Sequence, residues 1–335
     1  MPPPEQRVGG LDSAIGALRD ALGILGVPIS DEVPTAPDGE TVVHFHGLWQ
    51  PAHSRHAKAC LARGTPYVVS PHGMLEPWAW RHKWWKKWPY YKLVEQRYLS
   101  RARALVATAA SEAGRLHHFL PRARVETLPL GLTSDARPDY ENARRQLGWK
   151  PEERVLLYLS RIHVKKGLDL LLHALAHSVR SEPTRLVIVG DGEPAYVRSL
   201  QDFAKQHAAD LLPIEWKGAI WGTARWPYFQ GADLFCLPTH SENFGLAVLE
   251  ACQVGTPALT TTETPWGTEL SSGRGFIGRP TVESIRQSLV DYFQQPRWAA
   301  EKRAALADWA HANFDWKTLA PRYAAFYRSI LSPIS

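Results

Sequence analysis

Short apolar runs alternate along this chain with polar segments of helical periodicity. Residues 41–46, 67–70, 104–108 and 125–129 read as strands in the first part, and 155–159, 186–189, 214–218, 232–238 and 257–261 in the second. Leu11, Ile15, Leu18, Leu22 and Leu25 form one helical stripe, with Asp12, Arg19 and Asp20 off it. Further helices are predicted near 168–177, 281–294, 297–312 and 319–331. Strand, loop, helix and strand in alternation predict an α/β protein with parallel sheets. Apolar periodicity lapses over 133–152 except for a short helix at 141–147, which makes that tract the candidate linker. The predicted segments are 1–132, 133–313 and a terminal helix at 314–335.

The unit is most explicit over 232–261. Ala232–Pro238 leads into the loop Thr239–Phe244, then a helix from Gly245, a glycine stop at Gly255 and a second apolar run. Ligands of parallel sheets sit beyond the carboxyl ends of the strands, which places this loop at a binding site. N–H groups of Phe244, Gly245 and Leu246 at the helix start favour an anion. Glu242 precedes the helix and Glu250 stands about two turns into it, so the two carboxylates can touch different parts of one extended ligand. A ligand with both phosphate and hydroxyl groups fits.

Composition narrows the class. The 335 residues suffice for two domains, and 44% hydrophobic with 21% charged residues describes a globular chain. No apolar run reaches the length of a membrane span, and the start, MPPPEQRVGG, has no apolar signal region, so a cytoplasmic location is expected. Cys60, Cys236 and Cys252 lack metal or disulfide spacing and read as buried thiols. The formal charge of +6 is concentrated: from Trp78 to Arg103 eight basic residues stand against one acid, Glu95. Trp80, Lys83, Trp84, Trp85, Lys86, Lys87 and Trp88 interleave aromatic rings with that charge, the pattern of a contact with an anionic membrane surface. Pro89 argues against one unbroken helix there. No RNA-binding signature accompanies the patch, and no nucleic-acid partner is expected. His44 and His46 share one strand face, but without a third ligand they read as hydrogen-bonded or cleft-lining groups, and no metal site is expected.

Several strings carry a resemblance. SENFGLAVLEACQVGTPALTT resembles the E-x7-E signature of the GT4 family of retaining glycosyltransferases, and SRIHVKKG and GDG at 190–192 are similar to further loops of that family. HFHGLWQ and VVSPHGMLEPWAW resemble the subset that builds bacterial surface polysaccharides, including exopolysaccharide and lipopolysaccharide. The resemblance implies a GT-B fold, two Rossmann-like domains facing across a cleft, the first on the acceptor side and the second holding the donor, with the terminal helix crossing back to the first. It implies a UDP- or GDP-sugar as co-substrate, no cofactor, and a glycan or polyprenyl-linked acceptor at the inner face of the plasma membrane. His72, Glu242, Arg161 and Lys166 take the catalytic roles it implies: His72 and Glu242 on the sugar, Arg161 and Lys166 on the departing diphosphate. Gly10, Gly190, Asn243, Phe244, Gly245, Leu246 and Glu250 make up the donor-binding set, with Glu250 on the ribose.

One departure stands out. The family opens on an apolar strand before its glycine loop, and MPPPEQRV supplies none; either the chain starts late or the first sheet lacks a strand from its middle. Two other functions stay open on the sequence: a nucleotide-sugar 2-epimerase of the same fold, and a catalytically idle donor-binding scaffold.

Overall fold

The computed structural model describes residues 10–35, 39–78, 84–176 and 182–332, the side chains of Trp84 and Lys86 aside. Its contacts gather into two compact units, Met1–Gly131 with Asn313–Ser335, and Leu132–Ala312.

In the first unit four parallel strands, β1 (Val43–His46), β2 (Tyr67–Ser70), β3 (Ala104–Ala107) and β4 (Val125–Thr127), lie in chain order. Side chains alternate across the sheet and sort its two cores. Phe45, Val69, Leu105 and Ala107 face a cluster with Ala57 and Cys60 of helix α1 (Pro51–Arg63), together with Tyr91, Tyr98 and Leu116. Val68, Ala104 and Val106 face the other way, onto Leu18 and Leu22 of the helix Gly10–Ile24 and onto Tyr323, Phe326 and Ile330 of the terminal helix Trp316–Leu331. The buried stripe of Gly10–Ile24 is Ala14, Leu18, Ala21 and Leu22, so Leu25, expected on it, lies past the helix end and is exposed. Among the described residues no strand precedes β1, which stands at one end of the contiguous sheet, so the apolar strand that the sequence fails to supply ahead of the helix Gly10–Ile24 has no counterpart there.

The aromatic and basic segment is helical from Trp84 to Ser100, widened by a π-turn at Tyr91–Glu95. Pro89 lies inside the preceding turn. Lacking an N–H, it removes one bond from the helical ladder just ahead of the π-turn, and the run continues through it instead of breaking. Trp80 and Lys83 lie outside the described residues.

The second unit holds six parallel strands: β5 (Arg154–Leu159), β6 (Thr184–Val189), β7 (Ile214–Gly218), β8 (Leu234–Leu237), β9 (Ala258–Thr261) and β10 (Gly275–Gly278). Their order in the sheet is β10-β9-β8-β5-β6-β7. The chain goes one way from β5 to β7 and then returns to the other side of β5, so the order reverses between β5 and β8. In doubly wound sheets that reversal opens a crevice at the carboxyl ends of the two strands. β10 was not legible as a strand, because its sequence, GFIG, is bracketed by glycines. The sheet needs them there: a Cβ on Gly275 would lie 2.4 Å from the Ala258 carbonyl oxygen.

The tract read as a linker is tied to the second unit. Gln253 donates to the carbonyls of Ser134 and Ala136, at 2.6 and 3.1 Å, and Gln230 to that of Arg137 at 2.7 Å. Helix Tyr140–Leu147 follows, and its Tyr140 and Arg144 reach Asp233 at the amino end of β8.

Candidate active site

Two loops leave the carboxyl ends of β5 and β8. The first runs from Ser160 through a 3-10 turn at Val164–Lys166 to Gly167, which opens the helix Leu168–Leu175. The second runs from Pro238 to Gly245, which opens the helix Leu246–Gln253. The Lys165 carbonyl joins them by accepting from the His240 N–H and the Thr239 hydroxyl, both at 2.8 Å. Gly167 is required: its φ is +69°, and a Cβ would stand 2.0 Å from the Pro238 carbonyl oxygen.

This junction brings Lys166 and Glu242 into an ion pair, the two side chains about one-sixth exposed. Arg161, on the same loop, is exposed, and its guanidinium makes no bond among the described residues. Gly245 adopts the left-handed conformation at φ +78°, with the Trp266 indole nitrogen and Glu242 Cγ at 3.0 and 3.1 Å from where a Cβ would be. Trp266 also donates to the Phe244 carbonyl, which fixes the entry to the helix. Among the described residues no acceptor takes the N–H of Leu246 or Ala247, so the helix start offers donors beside Glu242. Asn243 lies in the same turn, next to Glu242.

Glu250 sits further along that helix, buried, with its Oε1 accepting from Arg225 at 2.7 Å and from the Thr133 hydroxyl at 2.8 Å. Neither partner was legible in the sequence: Arg225 lies in a loop without periodicity and Thr133 in the tract read as linker. Gly190 has a structural reason of its own. A Cβ there would meet the Ser160 carbonyl oxygen at 1.9 Å, so this glycine lets the loops after β5 and β6 close on each other.

The remaining expected residues belong to the first unit. Gly10 is the first residue of its helix and is exposed. His72, at φ +52°, has its Nε2 3.0 Å from His46 Nδ1, while its own Nδ1 is buried without a partner. His44 Nδ1 and Nε2 stand 2.8 Å from the Tyr327 and Ser70 hydroxyls. Desolvation lowers all three imidazoles, His46 to about 3 and His72 to about 4, and for His44 and His46 repulsion from neighbouring histidines adds to it. They are neutral at neutral pH, and the His46–His72 contact is an N–H to N hydrogen bond between uncharged rings. Among the described residues no group of three or more His, Cys, Asp or Glu side chains is arranged to hold a metal ion.

Trp85 and Trp88 are 58% and 51% exposed, and Leu93 in the π-turn is 72% exposed. Lys87 Nζ lies 5.9 Å from the ring centre of Trp49. Glu95 of the same segment is buried and accepts from the Trp49 N–H at 3.1 Å, and Trp49 itself has φ +65°. Burial pushes the Glu95 carboxyl up to about 7. Among the described residues no helix is long and apolar enough to cross a membrane.

Known proteins share this architecture. Sucrose-phosphate synthase of Thermosynechococcus elongatus superposes with a TM-score of 0.72 at 19% identity, over 86% of this chain and 73% of that one. Anabaena HepE, solved in complex with UDP and glucose, superposes with a TM-score of 0.68 at 19% identity, over 85% and 77%. The fold is thus GT-B, with two parallel α/β sheets. In sequence, the D-inositol 3-phosphate glycosyltransferases of Segniliparus rotundus and Frankia alni are 29% and 30% identical over 266 and 257 residues. Those stretches cover 72% of this chain in each case, and the chain spans 56% and 62% of the two relatives' length. Residues 40–135 match Glycosyltransferase Family 4. Residues 139–308, which contain both glutamates, the Lys166 loop and the β5–β8 crevice, match Glycosyl transferases group 1, and the chain belongs to that family.

Proposed function

We propose that the chain transfers a sugar from a nucleotide-sugar donor to an acceptor hydroxyl, with retention at the anomeric carbon and departure of the diphosphate from the face that the acceptor attacks. The observation that carries this reading is the Lys166–Glu242 pair on the loops that leave the carboxyl ends of β5 and β8, with a second carboxylate, Glu250, just over one turn into the helix Leu246–Gln253 that follows. Negative charge grows on the leaving diphosphate, and Lys166, Arg161 and the helix start at Gly245 are the groups assigned to it. Glu242 is assigned to the sugar and Glu250 to the ribose hydroxyls. The complexes of Anabaena HepE with UDP and with UDP-glucose favour a UDP-sugar as the donor.

A thermal-shift screen over UDP-, GDP- and ADP-sugars tests the donor, since a ligand at 100 times its Kd stabilises by about 2.7 kcal/mol. A UDP-sugar is expected to raise the melting temperature, and a flat response to all three classes would overturn the reading. Incubation of the bound donor alone separates the alternatives: an epimerase releases an altered sugar nucleotide, and a scaffold changes nothing in the presence of any acceptor.

For the acceptor, the proposed reading is a lipid-linked glycan met at an anionic membrane surface on the cytoplasmic side. Its support is the exposure of Trp85, Trp88 and Leu93 within the basic segment. Indole rings favour the headgroup level, and each nearby lysine or arginine adds about 1 kcal/mol on an anionic surface. Vesicles containing phosphatidylserine are expected to bind the protein at low salt and release it as salt rises, with little binding to phosphatidylcholine alone. Changing Lys83, Lys86 and Lys87 to Glu should abolish that binding, and equal binding by variant and wild type would refute it. The names of relatives and structural neighbours favour a second reading, a small phosphorylated acceptor such as an inositol phosphate or a sugar phosphate. Transfer to such an acceptor without vesicles would decide for it.

A further inference from the structure

Arg225 and Thr133 spend their donors on one oxygen of one carboxylate. Glu250 Oε1 accepts from both, at 2.7 and 2.8 Å. A carboxylate oxygen has two lone-pair directions, so Oε1 is saturated by these two bonds. Among the described residues Oε2 takes none. Arg225 is itself held: its other terminal nitrogen donates to the Gly222 carbonyl at 2.9 Å, and its guanidinium stacks 4.9 Å from the ring centre of Trp226. The Arg225 and Glu250 side chains are 19% and 9% exposed, so the pair is shielded from solvent and its geometry is fixed. Arg225 also balances the charge of a carboxylate that would otherwise repel an incoming diphosphate.

We infer that Arg225 and Thr133 are positioning residues that fix Glu250 by Oε1 and reserve Oε2, with both its lone pairs, for the vicinal hydroxyls of a ribose. The inference rests on the assignment of Glu250 to the ribose and adds the residues through which that carboxylate discriminates a diol from its deoxy counterpart. A freely rotating carboxylate would offer either oxygen in many orientations and would lose selectivity through the entropy of fixing it on binding.

The experiment is calorimetric titration of the full chain with UDP and dUDP, and with GDP and dGDP. The measured quantity is the ratio of the two Kd values within each pair. Wild type is expected to prefer the ribonucleotide about tenfold or more, since hydrogen bonds to a charged acceptor are the strong ones. Glu250→Gln should bring the ratio near one. Arg225→Met and Thr133→Val should each lower it several-fold, the double variant should match Glu250→Gln, and Arg225→Lys should restore part of it. Should Arg225→Met fail to fold, Thr133→Val, which exchanges one hydroxyl for a methyl group, carries the same ratio test. Equal weakening toward both nucleotides of a pair, with the ratio at its wild-type value, would mean a structural or phosphate-binding role and would overturn the inference. Failure of the underlying assignment looks different: wild type itself would show a ratio near one, or would bind no nucleoside diphosphate.

Discussion

Lys166→Ala is expected to lower turnover by about 100- to 1,000-fold, the usual consequence of removing one preorganised group from developing negative charge. The ammonium is held by Glu242 on a loop that Gly167 brings against Pro238, so its position is set before any ligand arrives. Preorganisation makes such a charge effective, because no reorganisation is needed as the diphosphate leaves. The effect should fall on kcat more than on donor affinity, since the charge grows in the transition state. Glu242→Gln should likewise lower turnover, through loss of the proposed sugar contact and of the partner that orients Lys166. In a double-mutant cycle the two changes should be strongly non-additive. Steady-state kinetics with the donor identified by thermal shift makes the measurement. Wild-type turnover in Lys166→Ala would remove Lys166 from the chemistry.

The second large effect is on stability. Asp233→Ala should destabilise the second unit by about 3–5 kcal/mol, the range found when one partner of a buried ion pair is removed. Asp233 accepts from the Tyr140 hydroxyl at 2.6 Å, from Arg144 at 3.0 Å and from the Val155 N–H at 2.8 Å, and the Arg303 guanidinium lies 3.9 Å away. Without it two buried guanidinium groups lose their countercharge. Arg144 would retain the carbonyls of Gly231 and Glu153, and Arg303 that of Gly255. Those bonds satisfy donors and leave the charge uncompensated. The hub is at the amino ends of β5 and β8, opposite the Lys166–Glu242 pair, so turnover per folded molecule at low temperature should stay near wild type. Thermal or urea melts alongside kinetics test this split. A melting temperature within about 2 °C of wild type would contradict the account of the hub.

The strands were legible where apolar residues run together, as at Leu156–Tyr158 and Leu186–Val189, because a sheet covered on both faces needs such runs. The element around Glu242 and Glu250 was legible because strand, loop and helix start follow one another without interruption. What escaped the sequence depends on contacts between distant positions. Arg225 and Thr133 meet Glu250 only because the fold brings two distant segments against the helix Leu246–Gln253, and nothing in their local sequence marks them. β10 was hidden by the glycines that let it pack against β9. The His46–His72 contact was hidden for a related reason: alternation puts His44 and His46 on one face, but only the pairing of β1 with β2 brings the residue after Pro71 beside them.

The cluster of neutral histidines has a thermodynamic consequence in the first unit. An imidazole held below its ordinary value of about 6.5 gains its proton on unfolding, so the stability these groups support is present above that pH and is lost as pH falls through it. Glu95 runs the other way: its raised value favours the fold at low pH, a contribution lost as pH rises toward 7. At about pH 5.5 unfolding takes up protons at His44, His46 and His72 and releases one at Glu95, a net uptake of about two from these four groups. Calorimetric unfolding enthalpies at that pH will therefore depend on the heat of ionisation of the buffer, and the slope of that dependence counts the protons directly.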